Sequence, residues 1–281
     1  MRTSSNPVFR NLPKESGYAG FGGAPAQPQY GQYPQPGYPQ QPGYQQAYPA
    51  QTRAITIDDV VTKTAITLGT LIVSAVISYV LVANNTKLAL PFALVGALVG
   101  LVLVLVASFG NQSSNPAIVL GYAVAEGLFL GSLSFVFTDI TFGGVGGAGL
   151  IGQAVLGTLG VFAGMLVAYR TGAIRVTPKL TRMIVGATVG VLVLMVGNLI
   201  ASFFMADGFG LRSGGPLAIA FSLVCIGIAA FNFLIDFDTA DQLIRAQAPE
   251  KMAWAVALGL TVTLVWLYVE ILRLLSYFNN D

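Results

Sequence analysis

The sequence contains no histidine and a single cysteine, Cys225, and only 9% of its 281 residues are charged. Each scarcity closes off a class of function. Without histidine there is no His-based zinc site, no Ser-His triad and no imidazole pH switch. One cysteine builds neither a disulfide framework nor an iron–sulfur or Cys-rich zinc centre. Globular domains carry about a quarter of their residues as charged side chains, so this chain has too little charge to coat a water-facing surface. No basic stripe of the kind that tracks a phosphate backbone is present, which argues against nucleic acid as a partner. What is abundant is apolar: 54% of the residues are hydrophobic and the mean hydropathy is +0.71. The composition places most of the chain in a lipid bilayer.

Residues 1–52 are a separate compositional unit, rich in Pro, Gln, Gly and Tyr, with the near-repeat QYPQPGYPQQPGYQQAYP carrying Tyr33, Tyr38, Tyr44 and Tyr48. Few aliphatic side chains and many prolines leave nothing to build a core, so a disordered, polyproline-II-like tail is expected. Its start, MRTSSNPVFRNLPKESGYAG, has no apolar run and does not read as a secretory signal. The tail is therefore expected in the cytosol, either as a solubilising leader or as a docking segment for an unknown protein.

From residue 53 to 281 the chain reads as an all-α transmembrane domain. Thr56 or Asp58 offers a cap for the first helix, and a bilayer core of about 30 Å requires about 20 apolar residues per helix. Scanning with that length gives seven spans, at about 64–83, 89–109, 116–137, 149–168, 183–205, 216–235 and 252–278. The Gly-rich stretch around 138–151 reads as a loop, a re-entrant turn or the start of the fourth helix. Lys and Arg concentrate on cytoplasmic connections. Arg2, Arg10, Lys14 and Arg53 precede the first helix, Arg170, Arg175, Lys179 and Arg182 lie between helices four and five, and Arg245 and Lys251 lie between six and seven. The other connections hold only Lys87 and Arg212. This asymmetry predicts a multi-pass cell-membrane protein with its N-terminus in the cytoplasm and its C-terminus outside. Six crossings, with the last run interfacial or re-entrant, is the competing count.

Ionisable residues at membrane depth are costly and mark functional sites by default. Glu126 lies mid-way along the third helix in GYAVAEGLFLGSLSF, with no basic residue within a helical turn. It reads equally as structural glue between helices or as an ion or proton site. Asp236, Asp238 and Asp241 follow directly on the sixth apolar run in FNFLIDFDTADQLIR, gathering like charge near the negative end of a helix. Asp241 can pair with Arg245 four residues on. Asp236 and Asp238 have no local cation, which makes them candidates for proton sensing or transient cation binding. In the last helix Glu270 has Arg273 three residues on and Thr263 seven residues before. It either pairs with Arg273 or couples to a carboxylate on another helix.

The motifs SNPVF, the EG pair of the third helix, RVTPKLTR, FDTADQLI and the closing GLTVTLVWLYVEILRLLSYF together resemble the Bax inhibitor-1 family, most closely its bacterial YccA-like branch, over about residues 53–278. The resemblance implies a seven-helix bundle with the last helix at its centre. Some members of that family are described as pH-sensitive calcium leak channels. There, aspartates of the sixth and seventh helices share a proton and an arginine of the second helix acts as a latch. Carried over, the sixth-helix aspartate falls on Asp238. The second falls on Thr263, with Glu270 about two turns further on as a substitute. The latch has no counterpart, since LALPFALVGALVGLVLVLVASFG contains no arginine.

The expected function is thus a pH-sensitive cation leak or exchanger, with Asp238, Glu126, Glu270 and Asp236 as sensing candidates and Asp241, Arg273 and Thr263 in support. Calcium, held transiently by Asp238 or Asp236, is the expected ion, although no EF-hand loop is present. No resident cofactor and no enzymatic activity are expected. A non-conducting regulator acting through protein partners is the alternative. A small-solute transporter ranks lower, because no repeated halves with broken helices are found.

Overall fold

The computed structural model describes residues 53–137, 147–205 and 208–278. The expected tail and most of the Gly-rich stretch after the third helix lie outside these residues. Among the described residues there are seven α-helices, each long and apolar enough to cross a membrane. They are α1 (Ile57–Asn84), α2 (Ala89–Phe109), α3 (Pro116–Phe135), α4 (Gly147–Arg170), α5 (Pro178–Ser202), α6 (Pro216–Arg245) and α7 (Met252–Phe278).

Local chemistry sets where they begin. Thr56 caps α1: its hydroxyl accepts from the Asp59 amide, and the Asp59 carboxylate accepts from the Thr56 amide, a reciprocal capping box. This extends α1 seven residues ahead of the apolar run, so Asp58, Asp59 and Lys63 belong to the helix. Asn115 caps α3 and Thr177 caps α5, and Pro116, Pro178 and Pro216 occupy first-turn positions, where a missing amide proton costs nothing. At the other boundary, α6 continues to Arg245. The three aspartates expected after the helix are therefore inside its last turns, stapled by Gln242 to Asp238 at 2.6 Å and Arg245 to Asp241 at 2.8 Å.

The most buried helix is α7. It packs against α1, α3, α4 and α6, whereas α2 is held mainly through α3 and α5 through α6. This answers the competing count, because the last apolar run is a continuous 27-residue helix in the middle of the bundle. The α1–α3 contact combines small residues with a few large ones, among them the edge-on Tyr79–Phe135 pair. Ser74 and Ser78 donate to the carbonyls of Val124 and Leu128, each at 2.8 Å. Gly127 lies so close that a Cβ there would sit 2.5 Å from the Leu71 carbonyl oxygen. Small residues and cross-helix hydroxyls are how helices associate where lipid removes the hydrophobic drive. The apolar side chains of α2 and α5 point outward, among them Leu98, Val102, Val193 and Leu199, as a lipid-facing surface requires.

One end of the bundle is strapped by polar contacts. The Ile55 amide donates to the Ala248 carbonyl and the Glu250 amide to that of Arg53, both at 2.8 Å. Glu250 also pairs with Lys63 at 2.9 Å and Arg53 at 3.4 Å. The segment entering α1 is thus tied to the α6–α7 connection.

Candidate functional site

Along α6 and α7 the polar side chains form three groups at different depths. Nearest the strapped end, Asp238 and Asp241 lie one turn apart on the face of α6 that meets α4. The Tyr169 hydroxyl of α4 is 3.4 Å from an oxygen of each. Its one proton serves one carboxylate at a time. These groups, with Arg175, Gln242 and Arg245, line a cavity of about 310 Å³. The Tyr169 ring in its wall packs on Phe237, part of an aromatic cluster with Phe162 and Phe233.

Asp236 faces a different neighbour. Two residues along a helix turn a side chain about 200°, which carries Asp236 from α4 to α7. There Thr263 donates its hydroxyl hydrogen to Asp236 Oδ2 at 2.7 Å. Opposite is Gly259, where a Cβ would make ordinary contact with the Asp236 carboxylate at 3.5 Å. Asp236 lies nine residues before the end of α6, about 14 Å into the bundle at 1.5 Å per residue.

The third group lies toward the opposite end. Glu270 is 1% exposed and is seven residues, about 10 Å, beyond Thr263. Its Oε1 accepts from Arg273 at 3.0 Å and from Arg212 at 3.1 Å. The expected Arg273 pairing is present, and Arg212 is a second partner that sequence reasoning did not name. Its signal was its place as one of two cations in an otherwise cation-poor set of connections, but nothing local joins it to a residue 58 positions away.

Glu126 is apart from all three. It projects from α3 onto Gly100 of α2, where a Cβ would come 2.7 Å from its Oε1. Tyr122, one turn earlier, presents its hydroxyl to the same carboxylate. The structure therefore joins Asp238 with Asp241, Asp236 with Thr263 and Glu270 with Arg273, and brings Glu126 to none of them. Thr263, the position where the resemblance places a second aspartate, meets Asp236 rather than Asp238. Among the described residues no three acidic or cysteine side chains gather into a metal cage. A cation at Asp236 or Asp238 would draw its remaining ligands from hydroxyls, carbonyls and water, which hard cations accept.

A seven-helix membrane bundle built around its last helix, with carboxylates on the sixth, is the class of protein this geometry defines. The Bax inhibitor 1 like family profile matches residues 6–280, and the chain belongs to that family. No curated protein matches the chain.

Proposed function

We propose that the protein is a pH-sensitive cation leak pathway of the cell membrane, with calcium as the permeating ion and α6 as its controlling helix. The observation that carries this reading is the Asp236–Thr263 hydrogen bond. It sets a carboxylate inside the bundle, on the contact between the central helix and its neighbour, with a neutral hydroxyl as its partner.

An ionised carboxylate inside a helix bundle attracts a cation, and a protonated one does not. Because Thr263 carries no charge, one proton on Asp236 switches the local charge, with no second acid to share it. Asp238 stands at the mouth beside Asp241, which Arg245 neutralises, so Asp238 is the carboxylate there that a cation meets before entry. In this reading the cytoplasmic side is the strapped end, where Arg53, Arg175, Arg245 and Lys251 lie. The protein needs no resident cofactor and performs no covalent chemistry.

The test is calcium entry into proteoliposomes. A leak that Asp236→Asn and Asp238→Asn reduce supports the reading. A folded preparation with no leak above empty liposomes defeats it and moves the function to partner-mediated regulation, for which the Tyr-rich tail is the candidate docking segment.

A further inference from the structure

Five buried side-chain polar atoms lack a hydrogen-bond partner among the described residues, and four of them surround one ion pair. They are Glu270 Oε2, Arg212 Nη1, the Ser222 hydroxyl and the Tyr277 hydroxyl. Ser222 on α6 approaches the Glu270 carboxylate in a contact short of a well-formed hydrogen bond, and Tyr277 lies within electrostatic reach of both Glu270 and Arg212. Buried polar groups are nearly always satisfied, so a cluster of exceptions requires an explanation. All four atoms are almost wholly shielded from solvent, and this packed arrangement leaves hydrogen-bonding capacity unused that water would satisfy.

What holds the cluster shut comes from one connection. The segment from Gly208 to Gly215 carries three glycines in the left-handed region, Gly208, Gly210 and Gly214, at φ of 57°, 73° and 87°. Gly214 rests on the Tyr277 ring, and Leu211 packs over Val191, Phe221 and Cys225. Within this glycine-rich strand Arg212 makes the one ion pair that reaches another element, crossing to Glu270 at 3.1 Å with its guanidinium over the Phe221 ring. Arg273, by contrast, is on the same helix as Glu270 and ties no connection down.

We propose that the Arg212–Glu270 ion pair is a releasable bolt that holds the 208–215 segment over the ends of α6 and α7, and that its release opens a water-filled chamber lined by Glu270, Ser222 and Tyr277. Opening exchanges the ion pair for hydration of both its partners and of the Ser222 and Tyr277 hydroxyls. The inference does not depend on which ion, if any, the protein conducts.

The chain carries its own reporter. Cys225 is its only cysteine, is fully buried in this arrangement, and lies in the electrostatic neighbourhood of Glu270 and Arg212. Maleimide labelling of Cys225 in the purified full chain, reconstituted in nanodiscs, measures opening directly, with Cys225→Ser as the blank. Arg212→Gln is expected to label about tenfold faster than wild type. Arg273→Gln removes a cation from the same carboxylate without freeing the 208–215 segment, and is expected to accelerate labelling well short of tenfold. Equal rates for Arg212→Gln and wild type overturn the proposal, as does equal acceleration by the two variants, which would mean general loosening. If Arg212→Gln does not fold, Arg212→Lys is read instead. It keeps the charge but loses the planar fork, and an intermediate rate is expected; a wild-type rate overturns the proposal.

Discussion

Thr263 donates its hydroxyl hydrogen to Asp236 across the contact between α7 and α6, at 2.7 Å. The partnership defines what this bundle can do with charge. A carboxylate facing a hydroxyl has a donor in either protonation state, whereas two facing carboxylates must share a proton. The α6–α7 contact therefore holds together whether Asp236 is charged or neutral.

Removing the hydroxyl isolates the carboxylate. Thr263→Val preserves shape but leaves Asp236 without its partner on α7, and an expected loss of about 1–3 kcal/mol follows. Thr263→Ser restores most of it. Thermal unfolding of the three proteins in one detergent checks the prediction, and equal midpoints for Val and wild type would show that the hydrogen bond contributes nothing.

The α1–α3 contact sets a second test. A Cβ at Gly127 would meet the Leu71 carbonyl oxygen and the Ser74 Cβ at 2.5 Å, and backbone cannot swing aside. Gly127→Ala is expected to cost about 1–3 kcal/mol through overpacking. At Gly152 nothing lies within 4 Å, so Gly152→Ala is expected to be neutral or to stabilise α4 by up to about 1 kcal/mol. Thermal midpoints of opposite sign would bear this out.

The strap at the start of α1 is weaker than its number of contacts suggests. Arg53 is 57% exposed and Glu250 is 39% exposed, and exposed pairs contribute little. Glu250→Gln is expected to cost less than about 1 kcal/mol, with the cost shrinking as salt is added. A larger, salt-insensitive loss in thermal unfolding would show that Lys63, at 13% exposure, makes the strap a buried pair.

The sequence disclosed much of this fold because a bilayer imposes length. Seven apolar runs had to be seven helices, and the FDT and closing-helix motifs pointed to the family. Contacts within one helix were equally legible: Glu270–Arg273 and Asp241–Arg245 follow from spacing alone. Helix ends were less so, because Thr56 and the Gln242–Asp238 pair extend α1 and α6 through polar residues that a hydropathy window rejects. Pairings between helices were least legible. Whether Asp236 or Asp238 meets Thr263 depends on the rotation of α6 against α7, and Arg212 reaches Glu270 only because a glycine-rich connection folds over the bundle end. Periodicity fixes which residues share a face; it does not fix which neighbour that face meets.

The most direct test of the central claim is calcium entry into proteoliposomes followed from acid to neutral pH for wild type, Asp236→Asn and Thr263→Asp. The account predicts a pH-dependent leak in wild type, a flattened profile in Asp236→Asn, and a profile displaced in pH when Thr263→Asp supplies a second acid. A wild-type leak whose pH profile survives unchanged in Asp236→Asn, or no leak at all from folded protein, would contradict it.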